Sequence, residues 1–172
     1  MSGNVLPVVA ARDMATAEKR QADFADWSAL TPPPFIGSPP DMSQMPPEVL
    51  PMLTLFFGIA LPNVEGREIK GQAASRGVVT ARARVLKDLS EAERLQPGEI
   101  LVCTMTAPPW TPLFAIAAAV VTDSGGVLSH SAICAREYAI PCVVATQVAT
   151  KVIVDGSMIT VDGTKGIVKM EG

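Results

Sequence analysis

The sequence predicts an α/β sandwich that follows a helical and proline-rich extension. Three observations carry this. From about Asn63 onward, short β-rich runs alternate with glycine and proline punctuation. Three helical runs fall among the seven strands, a pattern that fits a sandwich and not a doubly wound nucleotide fold. Before Asn63 the texture is different: a charged amphipathic stretch leads into a run of prolines. The 172 residues, almost half of them apolar, suffice for one domain with a real core and an extension. The expected division is residues 1–62 for the extension and 63–172 for the domain.

Residues 12–30 predict an amphipathic helix, with Ala17, Phe24 and Trp27 as apolar points among charges. It serves either as a helix docked on its own domain or as an arm that docks on another chain. Residues 31–51 hold Pro32, Pro33, Pro34, Pro39, Pro40, Pro46, Pro47 and Pro51. Proline fixes φ and removes a donor, so this stretch reads as a stiff, extended tether. The apolar segment 52–60 is either a small docked helix or an exposed contact surface. Strands are expected over 68–73, 78–85, 100–103, 120–122, 142–145, 158–162 and 167–170. Gly66, Gly77, Pro97-Gly98, Asp155-Gly156 and Asp162-Gly163 supply turns. Helices are expected over 89–95, 111–118 and 129–139. There is no internal repeat of about 20–50 residues.

Composition excludes several classes of function. The net charge is −3 and no basic cluster occurs, which argues against nucleic acid or an anionic membrane as main partner. No apolar run reaches the roughly 18–20 residues that span a bilayer, and no secretory signal pattern is present. Cys103, Cys134 and Cys142 have no CxxC spacing and read as buried, reduced thiols of a cytoplasmic protein. One histidine and scattered cysteines do not make a zinc site, so no metal is expected on this chain. There is no GxSxG, no lysine-containing phosphate loop and no GxGxxG opening a helix.

What remains is the stretch VTDSGGVLSHSAICAREYAIPCVV, residues 121–144, which holds the chain's one histidine, His130. Ser129 is a good N-cap, with Leu128 placed as a staple before it, so His130 opens a helix. Unpaired backbone N–H groups and the positive dipole end favour an anion there. Gly125 and Gly126 permit positive φ and close approach, and read as a nest for phosphoryl oxygens. Thr122 and Ser129 are hydroxyl donors for the same group. Imidazole is a competent nucleophile near neutral pH, and a phosphoryl group on its nitrogen is labile, as a carrier requires. Ser129 and His130 are adjacent and point apart, so they do not form a triad. Arg136 lies six residues on, about 240° around the helix from His130, and reads as a docking or structural residue.

Thr122, Gly125-Gly126, Ser129-His130, Ala132, Ala135-Arg136-Glu137, Ile140-Pro141 and Val143-Val144 together resemble the phosphohistidine swivelling domain of the phosphoenolpyruvate-utilising enzymes. That family includes pyruvate phosphate dikinase, phosphoenolpyruvate synthase, rifampin phosphotransferase and phenylphosphate synthase. Gly71 to Val79, Leu95 to Val102, Pro109 to Phe114, Asp155-Gly156 and Val161 to Gly166 extend the resemblance over about residues 64–170. It implies a three-layer β/β/α swivelling domain and a phosphotransferase. In such enzymes an ATP-grasp domain loads the histidine from ATP, with a pyrophosphoryl group first in several members, and the domain then carries it to an acceptor. Carried over, His130 is the covalent carrier, and Thr122, Gly125, Gly126 and Ser129 surround it. ATP and Mg2+ belong to an ATP-grasp partner, not to this chain. The chain has no room for the ATP-grasp domain, and Met1 with the extension leads to the expectation of a separate small subunit docked through residues 1–62. Leu128 stands where plant dikinases carry a regulatory threonine, so that control is not expected. The segment Trp110 to Phe114 and the prolines at 32–34 look closer to rifampin phosphotransferase and phenylphosphate synthase, which favours a phenol or alcohol as acceptor. The alternatives are pyruvate or phosphoenolpyruvate as acceptor or donor, and a non-catalytic regulatory or scaffold module.

Overall fold

In the computed structural model, residues 5–30, 45–58 and 63–171 are described. The chain divides into two compact units, residues 1–42 and 43–172. In the first, helix α1 spans Val5–Ser28, starting earlier than the charge pattern predicts. Phe24 and Trp27 are exposed on it. The expected tether at 31–51 falls mostly on residues 31–44, outside the described residues.

The second unit begins with helix α2, Val49–Phe57. Pro51 sits in its first turn, where a backbone N–H has no helical acceptor to lose. The strands are β1 Asn63–Glu65, β2 Glu68–Lys70, β3 Gln72–Ser75, β4 Val78–Leu86, β5 Ile100–Cys103, β6 Ala119–Thr122, β7 Cys142–Val144, β8 Met158–Asp162 and β9 Ile167–Met170. The remaining α-helices are α3 Thr111–Phe114, α4 His130–Glu137 and α5 Ala149–Val152. The run expected as one strand over 68–73 is two, broken at Gly71. A Cβ there would stand 2.6 Å from the Val144 carbonyl oxygen. Residues 89–94 form a 3-10 helix, with Asp88 capping Ser90 N.

The strand order is β1-β2-β9-β8-β4-β5-β6-β7-β3. Strands β4 to β7 run parallel, and the other pairings are antiparallel. The long strand β4 joins the two parts. Its residues 78–82 pair with β8 and its residues 83–86 with β5. Strands β5, β6 and β7 are buried on both faces, which explains why they read as unbroken apolar runs. Alternate residues then serve two cores. Leu101, Val120 and Val144 pack with Phe114, Leu113, Ala132 and Ala135 beneath the helices. Ile100, Val102, Val121 and Val143 pack with Ile69, Ile159, Val161 and Val168 from the antiparallel strands. This is the expected β/β/α arrangement, with α4 on the parallel layer directly after β6.

One boundary is corrected. The sequence division at 62/63 places α2 outside the domain, but the second unit contains it. The reason lies in the carbonyls at the end of α2, which accept donors from β3 and from the turns after β6 and β7; that of Thr54 also accepts from Gly58 N at 2.9 Å. Gln72 Nε2 donates to the Thr54 carbonyl. Val127 N donates to the Leu55 carbonyl at 3.2 Å, and Gln147 Nε2 to that of Gly58 at 2.9 Å. Two further elements, β1 and α5, have no counterpart in the sequence reading. Three residues and four residues respectively are too short for periodicity to show.

Leu101 is fully buried on the helix-facing side of β5. Leu101→Ala is expected to lower stability by about 3 kcal/mol, read as a shift in the urea unfolding midpoint. A change below about 0.5 kcal/mol would contradict the assigned core.

Candidate active site around His130

His130 is the first residue of α4, and the cap is Ser129, extended at φ −67 and ψ 159. The Ser129 side chain accepts from Ala132 N at 3.4 Å. Ile133 N donates to the Ser129 carbonyl at 3.0 Å. The first-turn amides have no helical acceptor and carry the positive end of the helix dipole, so the imidazole stands where an anion is favoured.

The ring is held on three sides. Nδ1 is 2.8 Å from Thr106 Oγ1. Nε2 has two longer neighbours, Thr111 Oγ1 and Cys134 Sγ, each at 3.4 Å. Phe114 meets the ring edge to face, with centroids 6.1 Å apart and planes at 81°. Thr106 in turn lies 2.8 Å from Ser131 Oγ, and both hydroxyls are buried. The arrangement leaves Nε2 with the weaker contacts of the two nitrogens.

The expected site residues have mixed fates. Ser129 caps α4 as predicted. Thr122 is fully buried, and its hydroxyl donates to the Ser124 carbonyl at 2.8 Å, so it shapes the turn instead of facing the ring. Gly125 takes φ +110, a conformation that other residues rarely adopt. Gly126 has a different reason from the one expected. A Cβ there would stand 2.2 Å from the Phe56 carbonyl oxygen. Its missing side chain makes room for α2. Arg136 does not reach His130, as the helical angle predicts. Its guanidinium donates to the Ala74 carbonyl at 2.9 Å and to the Val127 carbonyl at 2.8 Å. It therefore ties α4 to β3 and to the turn before the histidine.

Three polar neighbours of the ring were missed, Thr106, Thr111 and Cys134, and with them Ser131 behind Thr106. Thr106 and Thr111 come from the segment after β5, and no spacing rule connects that segment to His130. Cys134 is one helical turn from His130, the i,i+4 relation that brings side chains together. That signal was available in the sequence. The buried, unpaired state expected of the cysteines holds for all three. Burial pushes the Cys103 thiol up to about 12 and that of Cys142 up as well. Asp123 is buried just after β6 and accepts from Thr146 Oγ1 at 3.2 Å and from Thr150 N at 3.1 Å, which secures the far end of the turn. Among the described residues no helix is long and apolar enough to cross a membrane, and no group of three or more acidic, cysteine or histidine side chains is placed to hold a metal.

Residues 95–166 match the family described as "PEP-utilising enzyme, mobile domain". The chain is 41% identical over 152 residues to an uncharacterised phosphotransferase, YvkC, of Bacillus subtilis, covering 87% of this chain and 18% of that protein. It is 37% identical over 158 residues to rifampicin phosphotransferase of Streptomyces sviceus, covering 92% and 17%. It is 50% identical over 100 residues to phosphoenolpyruvate synthase of Pyrococcus furiosus, covering 58% and 12%. The chain thus spans less than a fifth of the length of each of these relatives.

Gly126→Ala is expected to push α2 off the turn, because the added methyl meets backbone that cannot rotate away. Amide exchange at Val127 checks this. It should speed up by at least about tenfold while β5 and β6 stay protected. Unchanged exchange at Val127 would show that α2 is not held there.

Proposed function

We propose that this chain, whose residues 95–166 are a mobile domain of the PEP-utilising enzymes, carries a phosphoryl group on His130 between two sites of an ATP-dependent phosphotransferase. The observation that supports this most is the ring itself. Nδ1 is engaged at 2.8 Å by a buried hydroxyl, while Nε2 has only two contacts at 3.4 Å. A nucleophile of this kind must keep one lone pair available and hold a fixed orientation. Thr106 and Phe114 supply the orientation, and Nε2 is the reacting nitrogen.

The chain's own residues account for binding and presentation, not for donor activation. The start of α4 offers N–H groups and the positive dipole end to the transferred oxygens. Ser129 holds that helix start in place. Nucleotide and Mg2+ belong to an ATP-grasp partner, whose separate chain or domain supplies the charge neutralisation that phosphoryl transfer needs. A hydroxyl acceptor, a phenol or alcohol, is the favoured destination, in keeping with the likeness to rifampicin phosphotransferase over 92% of this chain. With α2 in the second unit, the docking role expected of residues 1–62 falls to residues 1–42, where α1 exposes Phe24 and Trp27.

Incubation of the chain with its source lysate and labelled ATP tests the reading. The wild type is expected to take up acid-labile label, and His130→Ala to take up none, with an unchanged unfolding midpoint. Label from the β position indicates dikinase-type chemistry. Equal labelling of the two proteins would refute the assignment of His130, and label only from phosphoenolpyruvate would reassign the donor.

A further inference from the structure

Arg76 and Arg136 line one cleft of about 600 Å³ between the end of β3, the end of α4 and the turn that joins β8 to β9. Neither guanidinium meets a carboxylate. Among the described residues every ion pair lies elsewhere, and Arg76 makes no hydrogen bond. Arg136 uses two of its five N–H donors, on the carbonyls of Ala74 and Val127. Those acceptors carry no net charge, so both positive charges stand without a counter-charge. The chain as a whole is acidic, with 17 acidic side chains against 14 basic ones and a net charge of −3. Carboxylates are thus plentiful, yet among the described residues none lines this cleft.

The walls decide which kind of anion fits. Ala73, Arg76, Arg136, Ala139 and Thr164 are all exposed. A small free ligand is held by a pocket that encloses most of its surface, and this cleft does not enclose. An acidic side chain carried in on another protein surface needs only the open side. The planar fork of a guanidinium matches a carboxylate with two parallel N–H···O bonds. Thr164 adds a donor: its hydroxyl accepts from Gly77 N at 3.1 Å, and its own proton has no acceptor among the described residues. The position also fits. One arm of Arg136 is on the carbonyl of Val127, just before the histidine turn closes. Ala139, on the far wall, lies roughly 13 Å beyond His130 along the helix axis. A partner surface of ordinary size, about 800 Å² and so roughly 16 Å in radius when centred on the histidine, reaches it.

We propose that this cleft is a docking socket for an acidic side chain of the protein that loads His130, with Arg76 as the residue that recognises it. The inference rests on the reading of this chain as a carrier that meets a partner. A carboxylate seated between Arg76 and the remaining N–H groups of Arg136 pairs both charges at once. Arg136 also holds the turn before His130, so the partner grips the mount of the histidine itself. Opposite potentials that face each other speed association, and salt screens them. Arg76 makes none of the contacts to the ring, so its role is confined to reactions that need the partner.

Two donors separate docking from chemistry. Loading of the full chain from ATP in its source lysate needs the partner. Loading from phosphoramidate does not: the histidine nitrogen forms the new N–P bond, the donor's P–N bond breaks, and its electron pair leaves with the nitrogen as ammonia. Arg76→Glu is expected to slow loading from ATP by at least about tenfold at low salt, with the difference shrinking as NaCl rises to about 0.5 M. Its loading from phosphoramidate should equal that of the wild type. Arg76→Lys, which keeps the charge, should lose less than about threefold from ATP. Loading of Arg76→Glu from ATP at the wild-type rate, or equal slowing from both donors, would overturn the proposal. A wild type that takes no label from ATP counts against the carrier reading instead, and a titration then decides the socket. The full chain labelled with 15N-arginine is titrated with hexaglutamate, hexalysine and inorganic phosphate. Hexaglutamate alone is expected to move the side-chain signals of Arg76 and Arg136 together, and Arg76→Gln to abolish the shift. Signals that follow phosphate and not hexaglutamate would make the cleft a small-anion site, and signals that follow neither would remove it; both results contradict the proposal.

Discussion

The guanidinium of Arg136 holds the turn from which His130 is presented. One arm of it reaches the Ala74 carbonyl on β3, and the other reaches the Val127 carbonyl three residues before the histidine. A fork of charged donors on two backbone acceptors fixes direction as well as distance. The same turn is held from its other side by α2, through Val127 N and the Leu55 carbonyl. At its start, the buried carboxylate of Asp123 holds the Thr146 hydroxyl and the Thr150 amide of α5. Seven residues that would otherwise be an ordinary surface loop thus become rigid, and the start of α4 inherits that rigidity. A carrier imidazole of the kind proposed, which meets two sites in one orientation, needs a fixed mount, and here the mount belongs to its own domain.

Much of this was legible in the chain. The alternation of β5, β6 and β7 between two cores follows from apolar runs flanked by turn residues, and these strands lie where the sequence places them. The cap at Ser129 and the helix start at His130 follow from local propensity alone. The glycines show where such reading stops. Gly125 is required by its positive φ, a local property. Gly126 is required by a carbonyl that arrives from α2, 70 residues earlier in the chain. Composition near a histidine suggests a phosphate nest, yet nothing local can say that the missing Cβ is filled from elsewhere.

The hydroxyls around the ring divide in the same way. Cys134 is one turn from His130, and the helical repeat alone brings it close. Ser131 follows His130 directly, and its link to the ring runs through Thr106, which arrives from the segment after β5. Polar residues at buried positions were the weakest part of the reading, because a lone Ser or Thr has no periodic signature. Their partners are set by tertiary structure, and their burial is what makes them consequential.

Two physical requirements therefore meet at one residue. The backbone must be rigid enough to present the ring, and the ring must hold its proton away from the nitrogen that reacts. The measurement that bears most directly on this account is the 31P–15N coupling of the chain labelled with 15N-histidine, after loading from ATP by its partner. The account predicts one phosphoryl group, coupled to Nε2 of His130. Coupling to Nδ1, or phosphorus on a residue other than His130, would contradict it.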